Sequence, residues 1–153
     1  MGKIPKNSVS LAGEFAVLSQ LALRGYDANM TLGRTKSIDI LVSDPKTNLM
    51  YQLEVKTASN AGNNGEPSRS KEFGRSFHWP MNKKHVQISH SNLFYCFVDL
   101  GGKNKKVMFF VVPSKVVSKH LRETHQFWLK SDTKHKDTEM RTFRIAFETK
   151  GCK

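Results

Sequence analysis

The sequence predicts an α/β fold, a central mixed sheet flanked by helices, and three observations lead there. A helix-period apolar run near the N-terminus is followed by three short runs of strand character. A helix-like and then a strand-like segment come next, ending with the apolar run Leu93–Leu100. The remainder alternates strand, helix and strand. A chain of 153 residues with 38% hydrophobic content is long enough to bury a core. The expectation is one domain over 1–153, with a core at about 8–100 and an extension at 101–153.

The elements follow in order. Ser8 or Ser10 can cap a helix starting near Leu11. Leu11, Phe15, Leu18, Leu21 and Ala22 recur at helical spacing, and Gly25 ends the run. Tyr26–Leu32 reads as a short strand, with Gly33-Arg34-Thr35 as a turn. Lys36–Ser43 and Leu49–Ser59 form a hairpin about the turn Asp44-Pro45-Lys46-Thr47-Asn48. From Asn60 to Ser76 the chain is polar and rich in Gly and Asn, which reads as a long loop. Such a loop in a compact domain is functional or disordered. Pro80 is placed in the first turn of a helix over Met81–Ser89. Leu93–Leu100 and Val107–Val112 pair about the turn Gly101-Gly102-Lys103-Asn104-Lys105. Pro113-Ser114 opens a helix to Leu129, and Arg141–Phe147 closes the chain as a strand.

Composition narrows the partners. The net charge is +12, from 25 Lys and Arg against 13 Asp and Glu. An excess this large in a small chain points to a polyanion, and nucleic acid is favoured over a membrane surface. No stretch has the length of a membrane span, and none resembles an export signal, so the expected location is cytoplasmic. There is no phosphate-binding Gly-rich loop and no dinucleotide fingerprint, so no nucleotide cofactor is expected. Cys96 falls in an apolar run and Cys152 next to the end, without disulfide or metal-ligand spacing.

Chemistry concentrates in the first third. Gln52, Glu54 and Lys56 share one face of their strand, while Leu53 and Val55 share the other. The hairpin folds Asp39 back toward Glu54, so two carboxylates and a lysine converge. That grouping can hold a divalent metal together with a phosphate. Glu14 sits among Leu11, Phe15 and Leu18, where a carboxylate needs a partner. Each piece alone has a plainer reading. A Glu-x-Lys pair is commonly a solvated ion pair, an Asp near a turn a turn residue, and a helix Glu its wet side.

Glu14 on the first helix, Asp39 on the second strand and Glu54-Val55-Lys56 on the third resemble the PD-(D/E)XK nuclease superfamily over roughly Ser8 to Leu100. The 15-residue step from Asp39 to Glu54 is what a short hairpin provides, and Ile38 replaces the family's usual proline. The Glu14 helix and the Glu-x-Lys strand look most like the restriction-endonuclease and Holliday-junction-resolvase branches. The resemblance implies a restriction-endonuclease-like αβββαβ core with a C-terminal strand-helix-strand extension. It also implies Mg²⁺-dependent hydrolysis of DNA phosphodiester bonds, with Mn²⁺ able to substitute. Asp39, Glu54, the Val55 carbonyl and Glu14 would serve the metal. Lys56 would act on the attacking water, and Gln52 on water or phosphate. The substrate would be duplex or branched DNA, and the enzyme a homodimer. Arg34, Lys36, Arg69, Lys71, Arg75, Lys83 and Lys84 are the candidates for phosphate contact. The rival is a catalytically silent nucleic-acid-binding module of the same fold, and the intact Asp39, Glu54 and Lys56 argue against it.

Outside that set, His78 and Trp79 follow the basic loop, where Trp79 can meet a base or enter the core. The pairs His120 with His125, and His85 with His90, are each five apart, wrong for a zinc pair on one helical face. Phe127-Trp128 reads as core.

Overall fold

The structure is a computed structural model that describes residues 4–31, 38–62, 67–71, 73–102 and 106–146. Its elements are α1 (Lys6–Ala22), β1 (Asp27–Met30), β2 (Ile40–Asp44), β3 (Leu49–Ala58), β4 (Ser68–Ser70), β5 (Gly74–Asn82), a 3₁₀ turn (Lys83–Val86), β6 (Leu93–Asp99), β7 (Met108–Pro113), α2 (Ser114–Ser131) and β8 (Met140–Ala146). Five strands form a mixed sheet in the order β1-β2-β3-β6-β7. Only the β3–β6 pair is parallel. A second sheet, β4-β5-β8, is antiparallel throughout.

Alternation along β6 explains how the layers stack. Cys96 and Val98 join Val17, Ile40, Val42, Leu53 and Val55 in a cluster beneath α1. Tyr95 and Phe97 face the other way, into a cluster with Trp79, Phe77, Leu121 and Phe143 from the second sheet and α2. Phe97 stacks on Phe143 at 4.2 Å, and the Trp79 indole N–H donates to the Val98 carbonyl at 3.0 Å. The large aromatic surfaces therefore lie between the two sheets, with their polar handle satisfied.

Three expectations are corrected. The Asn60–Ser76 segment is not a continuous loop, because it contains β4 and the start of β5. The helix expected at Met81–Ser89 is absent: β5 runs on to Asn82, and one 3₁₀ turn follows. Phe77, Trp79 and Met81 are buried alternately along β5, a period of two that overrides the helix signal of Pro80. Pro80 is accommodated because the even residues of β5 turn their amides away from β8; His78 N donates to Ala61 O. The element between β3 and β6 is thus a β-hairpin and a 3₁₀ turn, where the αβββαβ order has a helix.

The third correction concerns α1. It begins after Pro5 without a side-chain cap, so neither Ser8 nor Ser10 plays that part. Leu11 and Phe15 point outward, 45% and 56% exposed, and the buried positions are Gly13 and Val17. Gly13 sets this rotation. A Cβ there would stand 1.9 Å from Thr57 Oγ1, so only glycine lets α1 lie this close to β3. At the other end, Gly25 adopts φ 78°, and the Tyr26 and Gly25 amides donate to the Leu21 and Ala22 carbonyls. That is a Schellman closure.

Candidate active site at the end of the β2–β3 hairpin

Asp39 stands just before β2, where pairing with β3 has run out at Ile40↔Leu53. Its backbone N–H donates to Leu53 O at 2.8 Å. Its carboxylate then takes over the ladder's role: Oδ2 accepts the Val55 N–H at 2.7 Å. The even residues of β3 turn their amides to β6, since Gln52 N donates to Asn92 O and Leu100 N to Ala58 O. Val55 therefore turns its carbonyl toward the same side as Asp39. This places a carboxylate and a backbone carbonyl together beyond the end of β2.

Glu54 faces the aromatic core, in register with Tyr95, and is 4% exposed. Lys56 Nζ lies 2.6 Å from Glu54 Oε1. Glu54 Oε2 is buried and has no hydrogen-bond partner among the described residues. Burial raises the Asp39 pKa, and Glu54 adds to the rise, while the Val55 N–H and Lys56 oppose it. Glu14 is half-buried on α1, next to Gly13. Its pKa is raised by burial first and by the Asp39 charge second, with Lys56 lowering it. Glu14, Asp39, Glu54 and Lys56 thus share one electrostatic neighbourhood, and among the described residues the three acids there have one lysine between them. Gln52 lies on the Glu54 face of β3, nearer the strand's start.

No three Asp, Glu, His or Cys side chains among the described residues form a ready metal cage. Mg²⁺ does not require one, because it keeps several waters and takes one or two carboxylates. The Asp39 carboxylate, the Val55 carbonyl beside it and the Glu54 carboxylate on the adjoining residue make a hard-oxygen donor set that fits such a cation.

The basic candidates divide. Lys83 is tied to Asp137 at 3.2 Å, while Lys84 is exposed and helps to depress the pKa of its neighbour His85. Arg69 and Arg75 oppose each other on β4 and β5, with Lys71 exposed in the turn. These three stand on the second sheet, not on the strands that carry the acids. Arg34 and Lys36 lie outside the described residues. Trp79 is core, as one of its two readings had it. Phe127 is exposed, contrary to expectation, and Trp128 stacks on His135 at 3.9 Å.

Sequence reasoning missed three buried polar residues. Asp99 Oδ1 accepts the Ala61 and Gly101 amides, at 3.1 and 3.0 Å, and so ties the exit of β3 to that of β6. His85 Nδ1 lies 2.9 Å from the Tyr95 hydroxyl and 3.7 Å from Glu54 Oε2. Burial pushes His85 down to about 4, against the pull of Glu54, so at neutral pH the imidazole is neutral and makes no ion pair. Burial and the Glu54 charge hold the Tyr95 phenol protonated. The one available signal was Tyr95 itself, a hydroxyl inside a buried apolar run that needs a partner.

No protein-family profile matches this chain, and no curated protein does. Among solved structures, the chain is similar to a bacterial homing endonuclease, I-Ssp6803I. The TM-score is 0.51 at 11% sequence identity, and the alignment covers 100% of this chain and 82% of that one. At this identity the likeness is one of fold. It extends across the second sheet and α2 as well as the β2–β3 hairpin.

Proposed function

We propose that this protein is a Mg²⁺-dependent nuclease that hydrolyses DNA phosphodiester bonds, with Mn²⁺ able to substitute. One observation carries the reading: the Asp39 carboxylate accepts the Val55 N–H of β3 beyond the end of β2, flanked by the buried Glu54 carboxylate and by Lys56. The endonuclease fold of the neighbour supports it, and so does the net charge of +12. The order of Glu14, Asp39 and Glu54-Val55-Lys56 supports placement in the PD-(D/E)XK superfamily.

Asp39, Glu54 and the Val55 carbonyl would hold the cation, with Glu14 assisting. When bound, the cation supplies charge neutralisation on the phosphate and a more acidic water. The Asp39 and Glu54 charges would repel a phosphate that is not neutralised, and so would restrict where one can sit. Lys56 offers an ammonium to the attacking water and to the charge that develops on the phosphate oxygens. Gln52 contacts water or phosphate on the same face. The buried surround of Glu54 keeps bulk water from screening these charges. Arg69, Lys71, Arg75 and Lys84 supply phosphate contacts along the duplex or a branched substrate. A homodimer would present two such sites to two strands. The proposed setting is cytoplasmic.

Cleavage of supercoiled plasmid, linear duplex and four-way-junction DNA with Mg²⁺ or Mn²⁺, alongside Lys56→Ala, tests the reading. Cutting by the wild type that is lost in Lys56→Ala supports it, and the preferred substrate separates a restriction-like from a junction-resolving role. Salt-sensitive binding without cutting of any substrate would establish a nucleic-acid-binding module instead.

A further inference from the structure

The two oxygens of Glu54 have different surroundings. Oε1 faces Lys56 at the open side of the site, while Oε2 is turned inward, buried and without a hydrogen-bond partner. Leaving a buried carboxylate oxygen unmatched is costly. The groups facing it are an imidazole and a phenol, bonded to each other. His85 is 3% exposed and Tyr95 is 0% exposed. His85 Nδ1 lies 2.9 Å from Tyr95 Oη and 3.7 Å from Glu54 Oε2. Tyr95 is the β6 register partner of Glu54, so both side chains leave the sheet on one face. The 3₁₀ turn that delivers His85 is fastened at its start by Asn82, whose side chain accepts from Lys84 N. Ser118 of α2 anchors the turn's end by donating to the Val86 carbonyl.

We propose that Tyr95 and His85 are positioning residues for Glu54, and that they fix the direction of Oε2 so that the carboxylate meets the divalent cation in one orientation. This rests on the nuclease reading above. With its proton on Nδ1, the imidazole donates to Tyr95 Oη and frees the phenol hydrogen for Glu54. In this arrangement His85 Nδ1–H donates to Tyr95 Oη, and Tyr95 O–H is the donor left free to turn toward the Glu54 carboxylate. Donors that orient a ligating carboxylate are worth 10–100-fold in metal affinity or activity when removed. Neither residue touches the reacting atoms; both act through Glu54.

The test is Mn²⁺ binding to the full chain without DNA, followed by calorimetry and by the rise in Tm on adding Mn²⁺. Tyr95→Phe removes one oxygen and keeps the shape of the core. His85→Ala removes the imidazole, and His85→Asn returns an amide group near the place of Nδ1. Tyr95→Phe and His85→Ala should each weaken Mn²⁺ binding about tenfold or more, and His85→Asn should recover part of the loss. Should His85→Ala fail to fold, Tyr95→Phe alone decides. Variants that lose Tm but bind Mn²⁺ like the wild type would overturn the proposal and leave the nuclease reading standing. A wild type that binds no Mn²⁺ and cuts no DNA would overturn both.

Discussion

On one face of β6, Tyr95 and Phe97 are sealed beneath the second sheet and α2. On the other, Cys96 and Val98 lie under α1, and beside it a groove of about 500 Å³ stays open, lined by Tyr51, Leu53, Phe94, Phe109 and Val111. The closed face is built of stacked aromatics and carries Glu54 and His85; the buried part of the open face is aliphatic, and from the site it holds only Val55 and, on the helix above, Glu14. The contrast teaches where a buried acid can be held. A carboxylate drawn into a dry layer keeps a fixed direction only if rigid, interlocked side chains surround it, and stacked aromatics provide that rigidity better than a half-covered aliphatic face.

Breaking the closed face should have the largest effect. Phe97→Ala removes the ring that meets Tyr95, Trp79 and Phe143, and should cost about 3–5 kcal/mol in chemical denaturation. A loss near 1 kcal/mol would mean that the layer is looser than its geometry.

The open face depends on one close approach. Gly13→Ala should push α1 off β3 and cost about 1–3 kcal/mol. Adding Thr57→Ala should recover only part, because Thr57 Cβ itself stands 2.8 Å from the new methyl. Full additivity of the two changes would show that the contact does not exist.

The acids behave differently again. Asp39 and Glu14 have raised pKa values, so the folded chain binds more protons than the unfolded one just above the ordinary carboxylate range. The sign follows: without a cation, stability from these groups is greatest at low pH and falls as pH rises through their raised values. Asp39→Asn keeps an acceptor for the Val55 N–H and removes a charge. It should leave the cation-free Tm equal or higher, flatten that decline, and abolish the Tm rise on adding Mn²⁺. A cation-free Tm well below wild type would refute this account of the acid cluster.

Smaller effects probe the groove. Cys96 lines it but is buried, and burial pushes its thiol up to about 12. In a Cys152→Ser background, Cys96 should resist thiol reagents at pH 8 until the protein unfolds. Fast native labelling would show that α1 opens. Val111→Ala, at a side chain 61% exposed, should change stability by no more than about 0.5 kcal/mol. A larger loss would show that the open face is covered in solution.

The β2–β3 hairpin was legible because its signals are local. A short turn, the alternation of polar and apolar residues over Gln52–Lys56 and the position of Asp39 give both the register and the meeting of Asp39 with Glu54-Val55-Lys56. The second sheet was less legible. Its first strand is a polar triplet with no apolar pattern, and Pro80 obscured the alternation of Phe77, Trp79 and Met81. The outward turn of Leu11 and Phe15 was illegible, because helical spacing marks a face but not which neighbour it meets. The contact of Gly13 with Thr57 made that choice.

By itself the sequence determined the mixed α/β class, the hairpin and the identity of the acids and lysine it carries, since these follow from periodicity and short-range turns. Only the tertiary structure decided what stands behind Glu54. His85 and Tyr95 come from a 3₁₀ turn and a parallel strand about 30–40 residues further along the chain. No local pattern encodes that distance; the parallel register of β3 with β6 and the packing of α2 on the turn bring them to one carboxylate oxygen.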